Sequence, residues 1–160
     1  MIQAITETSF TAYINTEANR IDTSVASTQI RHLMKFTNDL DGAVFYAYAF
    51  SETITDRYTK IDIRYNATPY MYTGSINLLP AGYYKYEAYE VSWEGTVTIL
   101  VGSAPATEDD ILEPPSANKG IVQGLVAIGK LNLSEKSGTE QVQYTQRQEP
   151  SGTNYIWYGQ

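Results

Sequence analysis

The stretch LLPAGYYKYEAYEV, residues 78–91, decides the fold class of this chain. A Pro80-Ala81-Gly82 turn opens into a run carrying Tyr83, Tyr84, Tyr86 and Tyr89, aromatic residues that favour strands. Period-two alternation assigns Tyr84, Tyr86 and Ala88 to a core face. It turns Tyr83, Lys85, Glu87 and Tyr89 the other way. Leu79, Gly82 and Tyr84 fit the spacing Leu-x-x-Gly-x-Tyr. Where a chain crosses between two sheets, backbone polar groups are left unpaired. A tyrosine at this spacing can bury its ring and still satisfy one of them with its hydroxyl. Tyr84 is therefore the predicted corner residue, and a plain hairpin turn is the alternative.

The same period recurs on both sides. Ile30, His32, Met34 and Phe36 alternate with Arg31, Leu33 and Lys35. Asn38-Asp39-Leu40-Asp41-Gly42 is turn chemistry. Residues 44–50 are apolar on both faces, which predicts a central strand. Ile61, Ile63 and Tyr65 alternate with Lys60, Asp62 and Arg64, a half-buried strand with a charged face. Ile76 and Leu78 mark a short strand, and Thr96–Val101 reads as the return arm of a hairpin. Residues 103–119, with three prolines, read as a surface loop. Residues 121–134 predict a strand with a bulge at Gly129, and 142–146 a further strand. Strands about ten residues apart, separated by turn signals, point to a sandwich or barrel.

Composition narrows the function classes. The chain has 160 residues, no cysteine and a net charge of −7. One domain with a core that needs no disulfide is expected. Thiolate chemistry is excluded. A basic surface for nucleic acid is not expected at this charge. MIQAITETSF has neither the basic nor the apolar region of a signal peptide, so none is expected. No apolar run approaches the roughly 18 residues that span a bilayer, so no membrane partner is expected.

No catalytic, cofactor or metal constellation stands out. His32 is the sole histidine and has no nucleophile motif beside it, so a structural role is expected. Asp39, Asp41 and Gly42 resemble part of a calcium loop. Aligned on that glycine, however, the last ligand position falls on Tyr48 where a glutamate is required. Asp109, Asp110 and Glu113 could hold a cation, with a solvated acidic loop as the default. Glu87 and Glu90 are three apart on a strand and point to opposite faces, which argues against a paired-carboxylate site. Tyr65, Tyr70, Tyr72, Tyr83 and Tyr89 could line a sugar-stacking surface. Tyr155, Trp157 and Tyr158 follow a Pro-Ser-Gly break and are the candidate partner-contact residues, since aromatics are enriched at interfaces.

LPAGYYKYEAYE, the distant LVAIGKLNL and SETIT upstream resemble segments of small β-sandwich structural proteins of tailed bacteriophages. The Thr96–Val101 strand and the proline-rich loop depart from that pattern. The resemblance implies a virion protein without enzymatic activity that binds other virion proteins, above all the major capsid protein, or copies of itself. It implies no cofactor, and assembly in the host cytoplasm.

The combined expectation is an all-β, immunoglobulin-like β-sandwich over residues 28–148. Residues 1–27 are expected to form an N-terminal arm and 149–160 a C-terminal tail. The expected role is an auxiliary capsid protein of decoration or cement type. The alternatives are a head–tail connector, neck or fibre-base protein, and a carbohydrate-binding module for host glycans.

Overall fold

The computed structural model describes residues 1–110 and 120–136, and they form an all-β, two-sheet structure. Nine strands are present among the described residues. They are β1 (Ile2–Ile5), β2 (Phe10–Ile14), β3 (Ile30–Asn38), β4 (Val44–Tyr48), β5 (Ser51–Ile54), β6 (Thr59–Tyr65), β7 (Ser75–Ile76), β8 (Gly82–Ser92) and β9 (Ile121–Ser134). One sheet has the order β1-β9-β8-β3-β4. The other runs β2-β6-β5, with β7 added at the end of β6. Among the described residues no helix is long and apolar enough to cross a membrane.

Local chemistry explains the central hairpins. Between β3 and β4, Gly42 sits at φ +74°, and Asn38 and Asp41 each accept a backbone N–H two residues on. β3 then pairs along its whole length with β8, from Ile30 opposite Ser92 to Asn38 opposite Tyr84. Alternation sends Met34, Phe36, Tyr84 and Ala88 inward, where they meet Ala12, Ile14, Ile61 and Ile63 of the second sheet. Phe10 and Phe36 pack edge-to-face across the gap at 6.1 Å.

Residues 1–27 are not an arm. β1 forms the edge of the larger sheet, parallel to the end of β9, and β2 pairs antiparallel with β6. Ile2, Ala4, Ala12 and Ile14 are buried in the core. These strands are short, and their partners lie far away in sequence. Only the tertiary fold supplies the other half of each ladder.

Three further expectations change. Residues 44–50 do not form a central strand: β4 is the other edge of the larger sheet. Its apolar outer face is explained by a cover. Residues 96–101 form no strand. They belong to an irregular segment that folds over the outer face of β3, β4 and β8. Leu33, Tyr48, Val91 and Trp93 are buried beneath it, together with Ala104 of the segment itself. Gly129 is not at a bulge but directly opposite Tyr86, whose ring lies so close that a Cβ would stand 2.7 Å from it. The register breaks of β9 come instead where Val126 and Gln123 are passed over, between Ala88/Tyr89 and Glu90/Val91. The predicted strand at 142–146, the tail 149–160 and loop residues 111–119 lie outside the described residues.

Candidate functional site

The corner residues come together at the start of β8. Gly82, at φ +143°, takes a backbone conformation that residues with a Cβ rarely adopt. Two residues on, the Tyr84 ring is fully buried and its hydroxyl donates to the Pro80 carbonyl at 2.6 Å. Burial raises the Tyr84 phenol above its ordinary pKa, so it remains a donor. Leu79 is half-exposed beside the turn. Tyr155, Trp157, Tyr158 and Glu113 lie outside the described residues.

The titratable residues singled out in the sequence are occupied in packing. His32 is buried between the sheets, and its Nδ1 pairs with Glu52 of β5. Its own N–H also donates to Glu52, at 3.2 Å. Glu90 is buried and accepts the backbone N–H groups of Ile21 and Asp22 at 3.1 and 2.7 Å. Glu87 faces outward and pairs with Lys85 at 2.8 Å. Asp39 pairs with Lys130 at 2.5 Å. Asp110 accepts the N–H groups of Ala106 and Thr107, closing a turn. Among the described residues no three acidic or imidazole groups converge on one point.

Glu108 fastens the cover to the larger sheet by accepting from both Lys35 and the Tyr46 hydroxyl. Tyr48 donates to the Pro105 carbonyl at 2.8 Å from inside the second core. The tyrosines proposed for sugar stacking are scattered. Tyr72 stacks on Tyr48 and Tyr70 leans on Tyr72, both at the rim of this core. Tyr89 packs into it, whereas Tyr83 stands in the open.

The cover reaches only half of the outer face. Beyond it, cross-strand register aligns a patch on β8, β9 and β1 that no described residue covers. Leu125 lies level with Tyr89 at the edge of the cover, Ile128 with the buried Glu87, Lys85 with Lys130, and Tyr83 with Asn132 and Gln3. Ile5 follows on the same face of β1, two residues past Gln3. Tyr83 and Ile128 are each 57% exposed, Ile5 48% and Leu125 43%. Four large apolar or aromatic side chains on one sheet face form the strongest candidate interaction surface in the described structure. Sequence reasoning missed it, because alternation places a residue outward without saying which outward positions are later covered.

No protein-family model, no curated protein and no solved structure matches this chain.

Proposed function

We propose that this chain is a non-enzymatic structural protein of a tailed-phage virion, an auxiliary capsid protein of decoration or cement type. In this reading its two sheets form an immunoglobulin-like sandwich, and Tyr84 is the corner tyrosine where the chain crosses between them. The observation that carries the assembly role is the part of the outer face that no described residue covers. Burying Tyr83, Leu125, Ile128 and Ile5 against a neighbouring subunit removes apolar surface from water at about 25 cal/mol per Å². The face sits on ladder-bonded strands, so little conformational entropy is lost there on docking. Lys85 and Lys130 are already paired with Glu87 and Asp39, so the face offers a docking partner apolar area with charges balanced at its rim. The similarity of LPAGYYKYEAYE and LVAIGKLNL to phage sandwich proteins supports the same reading. β1 and β2 belong to the sheets, so in this reading the terminal residues offered for docking are Tyr155, Trp157 and Tyr158.

The test is co-sedimentation with capsid shells assembled from the major capsid protein. Leu125→Asp combined with Ile128→Asp is expected to abolish binding while the far-UV spectrum and melting temperature are kept. Retained binding by this double variant would overturn the docking face. Binding of the parent chain to isolated tails and not to shells would move the protein to the neck or fibre base.

A further inference from the structure

A different surface lies on the outer face of the β2-β6-β5 sheet. Alternation along β6 turns Lys60, Asp62 and Arg64 outward while Ile61 and Ile63 enter the core. Thr11 of β2 and Ser51 of β5 stand level with Asp62 on either side. A cleft of about 500 Å³ opens over this row, lined by Ser9, Thr11, Phe50, Ser51, Asp62 and Arg64 among others.

Arg64 is held in place there. Its guanidinium carbon lies 3.2 Å from the centre of the Phe50 ring, a cation–π arrangement. Phe50 in turn is fixed, since its N–H donates to the Asp62 carbonyl at 2.8 Å. Gly74, at φ +73°, packs so closely on the Phe50 backbone that no Cβ fits between them. Among the described residues no carboxylate stands within ion-pair distance of Arg64. The flat edge of the guanidinium keeps its donors for a ligand.

Asp62 is committed differently. It accepts the Thr11 hydroxyl at 2.6 Å and pairs with Lys60 at 3.0 Å. The Thr11 hydrogen bond holds its carboxyl below the usual range, against the opposing effect of burial, and Lys60 adds to this. Asp62 is ionised at neutral pH, and a carboxylate offers about four acceptor sites, so it can still take hydroxyl donors. Lys60, Asp62 and Arg64 together carry one net positive charge in a chain whose total is −7.

We propose that this cleft binds a carboxylate-bearing saccharide. The sugar carboxylate accepts the paired N–H groups of Arg64, and neighbouring sugar hydroxyls donate to Asp62. Charge complementarity at Arg64 selects an acidic ligand over a neutral one. The acceptor sites Asp62 keeps beyond Thr11 and Lys60 favour a ligand that carries hydroxyl donors beside its carboxylate, a saccharide over a glutamate-rich peptide.

The experiment is calorimetric titration at low salt with an oligogalacturonate, a neutral galactan oligomer of equal length and a glutamate-rich peptide. The oligogalacturonate is expected to bind about tenfold or more tighter than the other two. Arg64→Gln should erase that margin without moving the melting temperature, because the side chain is exposed. Arg64→Lys keeps the charge but not the planar fork and should restore only part of it. Equal binding of the two oligosaccharides, unchanged binding by Arg64→Gln, or equally tight binding of the peptide would each overturn the proposal. None of these outcomes bears on the capsid-docking face, which lies on the other sheet.

Discussion

The molecule has two apolar cores built in different ways. The inner one lies between the sheets, and residues of both, such as Phe36, Ile61, Tyr84 and Leu131, enter it by strand alternation. Its walls are continuous hydrogen-bonded ladders on both sides. The outer core lies on the far face of the larger sheet, where Leu33, Tyr48, Val91 and Trp93 have a sheet on one side only. On the other side is the irregular cover, tied down by side chains (Glu108 to Lys35 and Tyr46, the Pro105 carbonyl to Tyr48, the Gly95 carbonyl to Gln29) and by two isolated backbone bonds, from the Trp93 N–H to the Gln29 carbonyl and from the Gly120 N–H to the Ser103 carbonyl. Equal burial therefore does not mean equal cooperativity. A ladder opens only with its neighbours, whereas a segment held by a few isolated bonds can open alone.

Substitutions in each core separate the two. Phe36→Ala, in the inner core, should cost about 4 kcal/mol by chemical denaturation and lower amide protection in every strand. A loss under about 1 kcal/mol would mean that the sheets do not depend on a shared core. Trp93→Ala, in the outer core, should cost about 3 kcal/mol. Its signature in hydrogen exchange is fast exchange in the cover while β3 and β8 stay protected. If β3 and β8 lose protection equally, the two cores are one cooperative unit.

Smaller effects test how the inner core is closed at its ends. Tyr84→Phe deletes the hydroxyl that serves Pro80 and keeps the ring, so a loss of about 1 kcal/mol is expected. No loss would show that water replaces the phenol there. At the other end, Asp22 accepts hydrogen bonds from Ser24 and Ser92, which hold its carboxyl below its ordinary pKa, the Ser24 hydroxyl most strongly. A depressed carboxyl stabilises the fold above about pH 3.9, and the contribution is lost as pH falls through the lower folded value. Between pH 5 and pH 3 the urea midpoint of the parent chain should therefore fall further than that of Asp22→Asn. Equal falls would remove Asp22 from the acid response.

The inner core was the legible part. The alternation of Ile30 to Phe36, of Lys60 to Tyr65 and of Tyr83 to Tyr89 places side chains correctly because the period of a strand is a local property. The turn at Asn38–Gly42 is legible for the same reason. Leu33 shows the limit. Alternation puts it on the outward face of β3, and it does point that way, yet it is fully buried because the cover lies over it. The docking face and the Arg64 cleft were hidden for related reasons. Ile128 and Leu125 are conspicuous only because the cover stops short of them. Phe50 reaches Arg64 only because β5 pairs with β6.

By itself, the sequence determined that this is a strand-built chain, where the Asn38–Gly42 turn falls, which faces of β3, β6 and β8 enter the core, and that its charge is acidic. Each of these follows from residues close together in the chain. Tertiary structure alone decided that the first fourteen residues join both sheets, that residues 93–110 cap a second core, and which outward faces the described residues leave open. Those outcomes depend on pairings between distant segments, and no local period encodes a partner.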